Sequence, residues 1–134
     1  MVDRLDFQTI QTDRDGQRAD EAEPPLVSAI IPCLNEERTL GICIRKAFDV
    51  FAKRGIKGEV VVGDNGSSDR SVEIAEALGA RVVHQRVKGY GAAISAAAES
   101  AQGAYLIMAD ADDSYDWSSL GDFIAALEEG ADLV

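Results

Sequence analysis

The stretch Ala104-Tyr105-Leu106-Ile107-Met108-Ala109-Asp110-Ala111-Asp112-Asp113-Ser114-Tyr115-Asp116 decides how this chain is read, because six apolar residues run straight into four carboxylates. An apolar run of that length is a buried strand, so the acids stand at its carboxyl end, where α/β sheets hold ligands. Carboxylates crowded this closely repel one another unless something positive joins them. A divalent cation gripped by the Asp-x-Asp of Asp110 and Asp112, itself holding a diphosphate, offsets that repulsion. A solvated polar loop is the bland alternative.

Working outward, the same grammar recurs. Leu26 to Pro32 (LVSAIIP) and Glu59 to Gly63 (EVVVG) are continuous apolar runs, and Ala80 to His84 is a shorter one. Between them lie helical patterns. After Pro32, Asn35 is placed to cap a helix with Glu36 and Glu37 in its first turn. Leu40, Ile44, Ala47, Phe48 and Phe51 then repeat at helical spacing until Gly55. Val72, Ile74, Ala75 and Leu78 mark a second helix, ending at Gly79. Ala92, Ala93, Ala96, Ala97 and Ala98 mark a third, whose small residues suit close approach to a sheet. Trp117 to Glu129 is a fourth, and Ala131 to Val134 opens a fifth strand. Alternating strands and helices with continuously apolar strands predict an α/β fold, a mostly parallel sheet with helices on both faces. Right-handed crossovers bring the strand-to-helix turns to one edge. Three of those turns carry the unusual residues: Pro32 to Glu36, Asp64 to Asp69, and Asp110 to Asp116.

Residues 1–25 are polar and charged and end in Pro24-Pro25, which reads as a flexible tail. Residues 26–134 form the domain, and the strand that opens at Ala131 makes it look like the front part of a larger unit. With 13 basic against 24 acidic side chains, a formal charge of −11, the chain has no basic footprint for nucleic acid. An acidic protein that takes a phosphate ligand needs a metal or a few well-placed cations. Cys33 and Cys43 read as small buried residues of a reducing compartment, not as a disulfide. No apolar stretch reaches membrane-spanning length and no signal peptide opens the chain, which points to a cytoplasmic polypeptide.

The succession VSAIIPCLNEE, EVVVGDNGSSD, KGYGAA and DADDSYD resembles the nucleotide-sugar-binding half of family 2 glycosyltransferases. It is most similar to the dolichyl-phosphate mannose synthase-like enzymes, which transfer sugars to polyprenyl phosphates. The resemblance runs from about Leu26 to Val134 and implies a GT-A fold. It also implies an inverting, Mg²⁺- or Mn²⁺-dependent transfer from a UDP- or GDP-sugar to an acceptor, a polyprenyl phosphate or a glycan. The resemblance puts Pro32, Leu34 and Glu36 beside the nucleoside. There Glu36 accepts hydrogen bonds from ribose hydroxyls or a base edge, unless it serves only the helix dipole. Asp64 and Asn65 match the acidic pair that reads the base, with Asn65 a departure. An amide complements uracil better than the paired donors of guanine, and Asp64-Asn65-Gly66 is also sufficient as a tight turn. Lys88 and Gly89 would line the donor pocket, Lys88 against the diphosphate, although a solvated surface lysine is the commoner case. Asp110, Ala111 and Asp112 would meet donor and metal. Asp113 is a candidate third ligand because Ser114 replaces the glutamine usual in the group. Tyr115 and Trp117 border the sugar or begin the next helix, with Asp116 as its rival cap, and His84 is structural. The resemblance further allows the complete protein an association with the cytoplasmic face of a membrane. An unfinished sheet edge allows homo-oligomerisation.

Competing readings are few. A receiver-type signalling domain wants an acidic pair after the first strand, where Pro32-Cys33-Leu34-Asn35 stands. A dinucleotide-dependent oxidoreductase wants the Gly-x-Gly-x-x-Gly fingerprint in the same turn. A non-catalytic nucleotide-sugar-binding fragment or regulatory domain keeps the donor site without the transfer.

Overall fold

The computed structural model describes residues 23–113 and 117–130. The expected tail up to residue 22, Ser114, Tyr115 and Asp116, and the expected strand at 131–134 lie outside the described residues. Each long apolar run is a strand. β1 (Val27–Cys33) is buried along its whole length and pairs in parallel with β2 (Gly58–Asp64) and β4 (Tyr105–Met108). β3 (Arg81–His84) pairs with the far side of β2, giving the order β3-β2-β1-β4. The parallel α/β sheet expected from the alternation is thus observed.

β1 continues one residue past the expected stop at Pro32, and the reason is local. The Ile30 carbonyl accepts from Ala109 N and the Cys33 carbonyl from Asn65 N. That alternation turns the Pro32 nitrogen toward β4, whose ladder with β1 has already ended at the pair Ile30–Met108. A missing N–H therefore costs no ladder bond here.

Helices cover both faces of β1 and β2, but β4 is not the buried strand expected. It stands at the edge of the described sheet, and the helix of the second face lies over the other three strands, leaving Leu106 46% and Met108 57% exposed. α1 (Leu40–Arg54) buries Leu40, Cys43, Ile44, Ala47 and Phe51 against alternate residues of β1 and β2, among them Val27, Ala29, Ile31, Val60 and Val62. It ends, as expected, at Gly55, which takes a left-handed φ of 65°. α2 (Ser71–Ala77) lies beside it, and α4 (Leu120–Glu128), entered through a 3₁₀ turn at Trp117–Ser119, adds Ile124 to the same layer. α3 (Tyr90–Ser100) covers the other face, with Ala97 packed on Ile30 and Val61. A methyl group on Gly63 of β2 would come within 2.2 Å of the Ala93 carbonyl oxygen. The small-residue helix therefore does ride close to the sheet. Its far end is pinned by charge: Arg81 bonds the Ser100 carbonyl at 2.9 Å and Glu59 at 2.5 Å. Burial pushes the Glu59 carboxyl up, but bonds from Ser28, the Gln102 N–H and Arg81 outweigh it and hold the group below its ordinary range.

One helix start differs from expectation. α1 begins at Leu40, so Asn35, Glu36 and Glu37 precede it. Asn35 stands in the left-handed region at φ 54°, and its side-chain oxygen accepts from Ser68 N at 2.8 Å and Asp69 N at 3.3 Å. Glu36 N donates to Ser71 Oγ at 2.9 Å. Asn35 thus ties the first turn to the second rather than capping its own helix. Both cysteines are free and buried, as read from the sequence. Among the described residues, no helix is long and apolar enough to cross a membrane.

Candidate functional site

α1 and α2 lie on one face of the sheet, and the connection from β3 through α3 to β4 lies on the other. The strand order therefore reverses between β1 and β4, and beyond their carboxyl ends the two chains part. A cleft of about 490 Å³ opens there, at the switch point where doubly wound sheets take ligands. Pro32, Cys33, Leu34 and Glu36 form its β1 wall, and Asp110, Ala111 and Asp112 its β4 wall. Asn65, Lys88, Gly89, Tyr90 and Ala93 complete it from the β2 and α3 side. Nine of the sequence candidates, drawn from the end of β1 and the segments that follow all four strands, therefore meet: Pro32, Leu34, Glu36, Asn65, Lys88, Gly89, Asp110, Ala111 and Asp112.

Two candidates do not line the cleft. Asp64 is 2% exposed. Its carboxylate accepts from Gly66 N at 3.1 Å, Ser67 N at 3.0 Å and Ser67 Oγ at 2.6 Å. That is the tight-turn arrangement, and it commits the group to its own loop. Asp113 has a left-handed φ of 64° and turns to Lys46, Oδ1 to Nζ 2.9 Å. Its carboxylate is directed to α1.

Asn65 is in the cleft wall, but its amide serves the neighbouring segment. Both Nδ2 protons go to the carbonyls of Gln85 and Val87 at 2.9 Å, and Oδ1 accepts from Gly89 N at 2.9 Å. Lys88 closes the same clasp by donating to the Asn65 carbonyl at 2.9 Å. The loop that brings Lys88 and Gly89 to the cleft is thus built by the residue expected to read a base. Gly89 has a φ of 132°, which a side chain rarely tolerates. Leu34 is 48% exposed at the mouth, an apolar surface suited to a flat ring.

Sequence reasoning missed Tyr90 as a site residue. Its hydroxyl donates to Asp110 Oδ1 at 2.5 Å, joining the start of α3 to the end of β4. The bond to Asp110, with partial burial and the charges of Asp110 and Asp112, pushes the phenol's pKa up, so it stays a donor at neutral pH. The only signal was an aromatic residue set between two glycines at a helix start.

Among the described residues, no three His, Cys, Asp or Glu side chains converge into a metal centre. Asp110 and Asp112 offer two hard carboxylates on one wall. Magnesium-type sites commonly have one or two carboxylates, completed by phosphate oxygens and water. The residues fit a metal that arrives with a diphosphate, not one held by protein alone.

A doubly wound α/β chain with an acid pair at its switch point has its polar groups where open parallel sheets take ligands. The family model "Glycosyl transferase family 2" matches residues 28–134, and the chain belongs to that family. It is 39% identical over 112 residues to a low-salt glycan biosynthesis hexosyltransferase of Haloferax volcanii, covering 84% of this chain and 27% of that protein. It is 33% identical over 108 residues to a dolichyl-phosphate hexose transferase of the same organism, covering 81% and 46%. Among solved structures, glucosyl-3-phosphoglycerate synthase of Mycobacterium tuberculosis, in complex with Mn²⁺, UDP and glucosyl-3-phosphoglycerate, superposes with a TM-score of 0.65. The identity is 25%, over 77% of this chain and 39% of that one. The parallel sheet and its helices are thus those of a GT-A glycosyltransferase, as the motifs implied. The chain spans less than half the length of each of these relatives.

Proposed function

We propose that this chain binds the donor in a metal-dependent inverting glycosyltransferase that moves a hexose from a nucleotide diphosphate to a polyprenyl phosphate. The observation that carries the reading is the meeting of Asp110 and Asp112 with Glu36, Leu34 and Lys88 around one cleft at the switch point. Leu34 and Pro32 border the nucleoside, and Glu36 accepts from the ribose hydroxyls. Asp110 and Asp112 hold Mg²⁺ or Mn²⁺ against the diphosphate, where the metal supplies charge stabilisation for the leaving group. Lys88 adds a cation on the opposite side, and Gly89 lets backbone approach the phosphates. Asp64 and Asn65 keep these groups in place. Support for uridine comes from the neighbour solved with UDP and Mn²⁺, since the Asn65 amide is spent on its own loop. The relative named for dolichyl phosphate supports the acceptor class. A phosphate acceptor is already anionic and scarcely needs a base, so leaving-group stabilisation carries most of the rate.

Calorimetric titration with UDP and GDP, each with and without Mn²⁺, tests the donor site. UDP should bind with Mn²⁺ and weaken by about tenfold or more without it, with GDP the poorer ligand. Binding of neither nucleotide contradicts the proposal. A preference for GDP contradicts only the uridine assignment.

A further inference from the structure

Three side chains on one face of the α1 segment, at Thr39, Cys43 and Lys46, follow the i, i+4, i+7 spacing of a helical stripe. Each reaches the acidic loop. Thr39 Oγ1 donates to the Ala111 carbonyl at 2.6 Å. Cys43 Sγ lies 3.6 Å from the Asp110 carbonyl as a weak donor, and Lys46 Nζ pairs with Asp113 at 2.9 Å. Thr39 also lies 3.3 Å from Glu36 Oε2. A hydroxyl has one proton, and the shorter contact takes it. Thr39 makes no side-chain bond to the helix start, although it occupies the capping position. Its hydroxyl is spent on the acidic loop.

The stripe also accounts for Asp113. Lys46 is 67 residues away in sequence, and the pair holds the loop's far end on α1. With Asp113 drawn aside, Asp110 and Asp112 are left on the cleft wall. Groups that orient metal ligands from behind typically change metal affinity by about 10- to 100-fold when removed.

We infer that Thr39, Cys43 and Lys46 form a positioning stripe that presents Asp110 and Asp112 to the cation, although none of the three touches it. The inference rests on the proposed reading of those two aspartates as metal ligands. It assigns Asp113 to the support of the loop and not to coordination.

The test compares UDP affinity with and without Mn²⁺ in variants of the whole chain. Thr39→Val should cut the gain that Mn²⁺ brings by about tenfold, leave metal-free UDP affinity within about threefold, and be rescued by Thr39→Ser. Lys46→Met gives a second reading that does not depend on a buried site, since the Lys46 side chain is half exposed. Removing a positive charge beside the acids would tighten Mn²⁺ by electrostatics alone, whereas loss of position loosens it. Loosening is expected. Lys53→Met is the control: it makes the same change on the same helix but pairs with Asp49, away from the loop, and the gain should be unaltered. An unaltered gain in Thr39→Val, or a tighter or unaltered one in Lys46→Met, overturns the assignment while the donor site stands. Failure of the parent chain to bind UDP with Mn²⁺ overturns the donor site and the stripe together.

Discussion

Replacing Asp112 by asparagine should erase the Mn²⁺-dependent part of UDP binding while leaving the fold intact. The side chain is exposed on the β4 wall of the cleft. An amide keeps the shape but offers one neutral oxygen in place of an anionic pair. Loss of a direct ligand should exceed the 10- to 100-fold cost of losing a supporting group, so a fall of about 100-fold or more is expected. Stability of the ligand-free protein should change by less than about 1 kcal/mol, because the position is on the surface. Titration calorimetry checks the first expectation and urea unfolding the second. Retained Mn²⁺ dependence would remove Asp112 from the metal.

The second large effect lies beneath the site. Gly63→Ala would put a methyl carbon 2.2 Å from the Ala93 oxygen, 3.0 Å from its carbonyl carbon and 3.3 Å from the Ala97 methyl. The first two atoms are backbone, so the only relief is to lift α3 off β2. Overpacking of this kind costs about 1–3 kcal/mol and sometimes more, and a clash with helix backbone rather than a flexible side chain puts this position at the upper end. The urea midpoint should fall with an unchanged slope. Gly91, on the same helix, has nothing within 4 Å of an added methyl. Gly91→Ala should therefore be neutral or stabilise by up to about 1 kcal/mol. The contrast matters for the site because α3 begins at Tyr90, which holds Asp110. Equal stability of the two variants would mean that helix and sheet are not tightly coupled.

The strands and their direction were legible because VSAIIPC and EVVVG have no solvent face to offer, and only a covered parallel sheet satisfies such runs. The place of the acids followed from the same logic, since a strand that ends in Asp-Ala-Asp delivers both carboxylates to its carboxyl edge. The run of alanines announced the tight contact at Gly63. What could not be read was the choice of partner by each polar side chain. Asn35 looked like a helix cap, but the Ser68 and Asp69 amides are brought to it by the neighbouring turn. Asn65 looked free to read a base, but carbonyls twenty or more residues away occupy its amide. Asp113 carries the same charge as Asp110 and Asp112, and only the packing of α1 on the sheet hands it to Lys46. Tyr90 had no local reason to meet Asp110 until a crossover put the start of α3 over the end of β4. Apolar pattern is a local property, while hydrogen-bond assignment is settled by the assembled fold.

The central claim is that a cation and a diphosphate sit together where β1 and β4 separate. Amide-resolved NMR of the chain with UDP, titrated with Mn²⁺ and compared with diamagnetic Mg²⁺, tests it most directly. Paramagnetic broadening should appear first at Ala111 and Asp112 and next at Leu34, Lys88 and Gly89, with the surface around Glu59 and Gln102, at the opposite, amino-terminal edge of the sheet, spared. Broadening centred on that surface, or spread without focus over the acidic exterior, would contradict the account.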